Sequence, residues 1–61
     1  MNMLYDMMDL ACAEALEVDV EVYIEKIEKT TYKRAELIIS ALMSEDEKLT
    51  LKARRIFNLI N

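Results

Sequence analysis

Cys12 is the one thiol in this sequence, and there is no histidine. A cysteine acts as a nucleophile when a cation or a helix N-terminus lowers its pKa. Here Ala11 and Ala13 flank it and acids surround it, so the spacing predicts a small buried thiol in a helix interface. Without histidine there is no side chain whose ordinary pKa suits general base work near neutral pH. Asp6 and Asp9 are spaced for paired-carboxylate chemistry, yet they fit the solvated first turn of a helix better, where the dipole favours negative charge. Glu45, Asp46 and Glu47 lack the spacing and the glycine of a calcium loop. One cysteine and no histidine also exclude a zinc site of the usual kind. The sequence therefore predicts no catalytic residues, no cofactor and no metal.

Two basic rows remain. Lys48, Lys52 and Arg55, with Arg54 beside them, share a helical face and form the candidate contact for an anion or a nucleic acid. Lys26, Lys29 and Lys33 make a second row, interleaved with Glu25, Glu28 and Glu36. Such rows can neutralise phosphates. The net charge of −4 and the absence of a base-reading pattern favour solvated or ion-paired faces, and nucleic acid is not the expected partner. Charge divides unevenly along the chain: residues 1–28 carry a net −7 and residues 29–61 a net +3. The two halves can attract within one chain or between copies.

The elements that would position these groups are helices. The chain has neither glycine nor proline, which disfavours hairpins and phosphate-cradling loops and suits helices joined by short links. Residues 3–17 read as a first helix with Leu4, Met7, Met8, Ala11 and Ala15 along one stripe. Asp19 is a good N-cap for the next. The alternating valines at Val18, Val20 and Val22 would suit a strand, but no second such stretch exists to pair with it. In residues 20–43, Val20, Ile24, Ile27, Thr31, Ile38 and Leu42 lie on one stripe, with Tyr23 and Leu37 flanking it. Thr30-Thr31 divides the reading: one long helix, or two with a break at this pair of weak helix formers. Ser44-Glu45-Asp46-Glu47 matches a capping box, with Ser44 as N-cap and Glu47 reaching back to it. A last helix over residues 45–60 then presents Leu49, Ala53, Ile56, Phe57 and Ile60.

The densest apolar run, Leu37 to Met43, spreads around a helix on most sides, the mark of a buried helix. A domain of 61 residues buries only about 60% of the surface its unfolded chain exposes, and small scaffolds usually need a staple. With disulfide and zinc excluded, that leaves oligomerisation or very efficient helix packing, and a second copy of the chain is the expected one.

The sequence thus predicts a single all-α domain over residues 1–61, a small bundle of three helices, or four with the break at Thr30-Thr31. It is expected to be a homodimer, with Met3, Met7, Ile38, Ile39, Leu42 and Phe57 in partner contact or self-association. No stretch approaches the ~20 apolar residues of a membrane span. The opening residues lack the basic region of a signal peptide, so an intracellular, cytoplasmic protein is expected. The function expected is non-enzymatic binding to another protein through a self-associating helical surface. An inhibitor or adaptor carried by a phage or other mobile element fits the size, with the host cytoplasm as its place of action. The alternatives are an assembly protein whose self-association is its function, a small nucleic-acid-binding regulator, or a protein that sequesters a small anionic ligand using Arg34 or Arg55.

Overall fold

A computed structural model describes residues 5–61, and these form four helices: α1 (Met7–Leu16), α2 (Val20–Lys29), α3 (Tyr32–Met43) and α4 (Glu47–Asn58). The links are residues 17–19, 30–31 and 44–46, short as a chain without glycine and proline suggests. The four-helix alternative is the one observed. Thr30 is extended, and Thr31 caps α3 with its hydroxyl accepting from the Arg34 amide at 3.2 Å. Thr is a fair cap and a poor interior residue, so the break falls where the local chemistry favours it.

The other ends are built from side chains and strained backbone. Asp6 is the N-cap of α1: its carboxylate accepts from the Asp9 amide at 2.8 Å, and Asp9 accepts back from the Asp6 amide at 3.4 Å. This reciprocal box starts the helix at Met7 and leaves Asp6 outside the first turn. At the other end Glu17 lies at φ 62°. Its amide donates to the Glu14 carbonyl and the Val18 amide to the Ala13 carbonyl, each at 3.0 Å, the paired bonds of a Schellman motif. Asp19 occupies the N-cap position of α2 but makes no side-chain cap bond.

The expected capping box at Ser44 is replaced by a different arrangement. Asp46 is the N-cap of α4, accepting from the amides of Lys48 and Leu49 at 2.8 and 3.2 Å. Ser44 closes α3 instead: its hydroxyl donates to the Ala41 carbonyl at 2.6 Å and accepts from the Asp46 amide at 3.1 Å. Glu45, between them, takes φ 61°. Aspartate is as good a cap as serine, and the extra turn residues let α4 reverse against α3. Those two helices form the most extensive pairing, with α1 against α2 next.

The core consists of Cys12, Ala13 and Leu16 of α1, Tyr23 of α2, Ile38, Ala41 and Leu42 of α3, and Ala53, Phe57 and Ile60 from α4 and its exit. The radius of gyration is 11.0 Å, close to the roughly 10.5 Å expected of a compact chain of this length. One copy therefore closes a core by itself, which corrects the expectation that the whole Leu37–Met43 run must be covered. Ile38, Ala41 and Leu42 face inward, Ile39 is half-buried, and Leu37 and Met43 are exposed. The first-helix stripe is also corrected. Met7, Met8 and Ala11 are exposed, and α1 packs through Cys12, Ala13 and Leu16. Small residues at 12 and 13 let α1 approach closely, which outweighs the bulk of the methionines. Leu49 of the predicted α4 stripe is likewise exposed.

Candidate functional site

Two chemically distinct regions stand out: a buried polar pair in the core and a set of exposed apolar and basic surfaces. The pair is Cys12 and Tyr23, 0% and 1% exposed. The Tyr23 hydroxyl faces the Cys12 sulfur closely enough for each to shift the other's ionisation. Burial pushes the Cys12 thiol above its ordinary pKa; the Tyr23 hydrogen bond opposes this, and the Asp9 and Asp6 carboxylates add to it. Burial likewise raises the Tyr23 phenol, with Cys12 and the two aspartates contributing. Both groups stay neutral, so the thiol is shielded and weakly nucleophilic. The Tyr23 ring stacks on Phe57 with centroids 6.1 Å apart and planes 22° from parallel, and Lys26 lies 5.0 Å from the Phe57 centroid. Chain periodicity placed Tyr23 at the flank of its stripe; its centrality was signalled only by its being the largest apolar body on α2.

The basic residues fall into different circumstances. Arg54 is engaged within the chain: its Nε donates to the Ala15 carbonyl at 2.9 Å and its guanidinium lies 3.7 Å from the Glu17 carboxylate. It ties α4 to the C-terminal end of α1, where a cation also complements the dipole. Lys48, Lys52 and Arg55 are exposed along α4. The second row does not form one face, because the break at residues 30–31 puts Lys33 on a different helix from Lys26 and Lys29. Lys26 covers Phe57, and Lys29 pairs with Glu25 at 3.8 Å. Among the described residues, no cluster of three or more histidine, cysteine or acidic side chains is placed to hold a metal ion, and no helix is long and apolar enough to cross a membrane.

Of the predicted association residues, Met3 lies outside the described residues. Met7 is 84% exposed and Ile39 half-buried on the surface, whereas Ile38, Leu42 and Phe57 belong to the chain's own core. The exposed apolar surface is larger than those residues alone: Tyr32 is 82% and Leu59 79% exposed, with Met8, Leu10, Leu37, Met43 and Leu51 about half exposed. Two grooves lie among them. One, of about 440 Å³, runs between the start of α3 and the end of α4 and is lined by Thr31, Lys33, Arg34, Leu37, Ile56 and Leu59. The other, about 290 Å³, follows the outer side of α3 along Tyr32, Ala35, Glu36, Ile39, Ser40 and Met43.

No protein-family model, curated protein or solved structure matches this chain. The reading of its function therefore rests on these surfaces.

Proposed function

We propose that this protein is a small non-enzymatic binding module, of the inhibitor or adaptor class, that engages another protein through its helical surface. The observation that carries the proposal is the amount of bulky apolar surface left outside a core that is already closed. Met7, Tyr32 and Leu59 are each about four-fifths exposed. Single exposed hydrophobic residues are common on soluble proteins, but clusters bordered by charge mark interaction sites. On α1, Met7 and Leu10 are exposed one turn apart, with Met8 also exposed and Asp6 and Glu14 exposed at either end. Methionine adapts its shape to a partner at small energetic cost. On this reading Met7 and Ile39 touch the partner, while Ile38, Leu42 and Phe57 hold the helices that present them. The reading places the protein in the cytoplasm.

The test is capture of a partner by the intact chain and by two surface variants, Met7→Asp and Leu59→Asp. Both positions are exposed, so circular dichroism should show unchanged helix content. Loss of a partner that the natural chain retains supports the proposal. A partner retained equally by both variants, or no specific partner at all, counts against it.

A further inference from the structure

Of the eight basic residues in the chain, Lys26, Lys29 and Arg54 are engaged within it, with Phe57, Glu25 and Glu17 in turn. Lys33, Arg34, Lys48, Lys52 and Arg55 are exposed, and none of them pairs with a carboxylate among the described residues. Acids outnumber bases twelve to eight, so a shortage of carboxylates is not the reason. Their placement is: most lie on or beside α1 and α2, and α4 carries no acid after Glu47 in its first turn.

These unpaired cations meet at the groove between the start of α3 and the end of α4. Lys33 and Arg34 line it, with Leu37, Ile56 and Leu59 as its apolar walls. Leu59 continues α4 in helical conformation. Arg55, Lys52 and Lys48 precede it by four, seven and eleven residues, spacings that share one side of a helix. A basic row on α4 therefore leads into the groove. No carboxylate lines it; Glu36 lies along the other groove. We propose that this groove docks a segment of the partner protein in which Asp or Glu recurs beside bulky apolar residues. Its carboxylates meet Lys33, Arg34 and Arg55, and its apolar side chains cover Leu37, Ile56 and Leu59. The inference rests on the binding role proposed above and deepens it by naming the partner's chemistry.

The two kinds of wall select the occupant together. Cations alone would suit any polyanion. Leucine and isoleucine between the cations give a phosphate or a sugar nothing to bind, and a single strand needs aromatic rings on which its bases stack. No aromatic residue lines this groove. Apolar side chains of a protein segment instead take the exposed faces of Leu37 and Leu59 out of water. Net charge acts in the same sense. At −4 the chain as a whole repels a long polyanion, whereas charges more than about 8 Å apart are screened at physiological salt. A short acidic segment in the groove thus feels mainly the local cations. Arg34 can hold a carboxylate through two parallel hydrogen bonds, and Lys33 supplies a point charge. The first turn of α3 contains no acid of its own, so a carboxylate arriving there also relieves the conflict of two cations with the dipole.

Nuclear magnetic resonance titration of the full chain tests this with a synthetic peptide of about 15 residues, near the length at which an isolated helix becomes marginal. The peptide carries Leu at i, i+4 and i+7 and Glu at the flanking positions. Amides of Lys33, Arg34, Leu37, Arg55 and Ile56 should shift, and binding should weaken as salt rises. Replacing every Glu of the peptide by Gln, or every Leu by Ala, should weaken binding about tenfold or more. On the protein, Lys33→Gln with Arg34→Gln should do the same with helix content intact. Ser40→Glu with Met43→Glu makes an equal change of charge on the other groove and should leave the affinity within about twofold.

An absence of shifts, shifts centred elsewhere, equal binding of either altered peptide, or equal effects of the two protein variants would overturn the inference. So would tighter binding of a DNA duplex than of the peptide, or self-association of the chain through these residues. The capture experiment reports separately on the binding role. A partner lost through Met7→Asp but kept through Lys33→Gln with Arg34→Gln defeats the groove and leaves that role standing.

Discussion

Tyr23 sits where α1, α2 and α4 meet, with its ring on Phe57 and its hydroxyl on Cys12. It does two jobs: the ring fills the centre, and the hydroxyl interacts with the Cys12 thiol. Tyr23→Phe keeps the ring and removes the hydroxyl, so it should cost about 1 kcal/mol, the net worth of a typical hydrogen bond. Urea unfolding would measure it, and a loss several times larger would mean that the hydroxyl positions the ring. The same pair predicts how stability depends on pH. Both groups have pKa values raised on folding, so the folded chain holds protons that the unfolded chain releases. Their contribution is complete below about pH 9, the ordinary value for a thiol, and declines as pH rises beyond it, with the phenol joining from about pH 10. Denaturant midpoints should hold level to about pH 9 and fall above it, and Cys12→Ala should remove the earlier part of the fall. A level profile to high pH would show that the pair is hydrated. The burial of Cys12 was readable from its alanine neighbours. That of Tyr23 was not, because a phenol can lie on either side of a stripe boundary and only its tertiary partner decides.

The helix ends show how local chemistry competes within one short segment. Ser44 and Asp46 are both strong caps, two residues apart, and the sequence pattern alone favours the first. The structure uses both, Ser44 to finish α3 and Asp46 to begin α4. Asp46→Ala should therefore cost about 1 to 2 kcal/mol, and Ser44→Ala less than Asp46→Ala. The reverse order, measured by chemical denaturation, would restore Ser44 as the cap of α4. Arg54 is the corresponding device at the end of α1. Arg54→Ala should destabilise by about 1 kcal/mol or somewhat more, since it frees the Ala15 carbonyl and breaks a partly exposed ion pair. Arg54→Lys should recover only part, because a lysine lacks the planar fork that reaches both groups. Amide exchange at the end of α1 would localise the effect. The break at Thr30-Thr31 was readable as one of two outcomes. The start of α1 at Asp6 was harder to place, because helical periodicity continues upstream of the cap that stops it.

As a whole, the described residues form a closed helical bundle with several bulky apolar side chains left on its exterior. The sequence correctly implied helices, short links and an apolar centre on α3. It did not reveal how the run from Leu37 to Met43 divides between inside and outside, because the division depends on where α4 lies. That division can be tested directly. Leu42→Asp puts an unpaired charge into the core and should unfold the chain, an effect of several kcal/mol. Leu37→Asp, at a position 55% exposed, should change stability by only about 0.5 kcal/mol. Thermal unfolding of the two side by side would decide the matter, and equal damage from both would mean that Leu37 is covered in solution.

The full enclosure of Cys12 gives the molecule a built-in clock. A thiol-specific dye reaches that sulfur only in the moments when α1 lifts away or the whole chain opens. Because this sequence contains no other thiol, the rate of colour change in a native sample counts those openings without any label being engineered in. Anything that clamps the helices together, a bound protein included, should slow the clock.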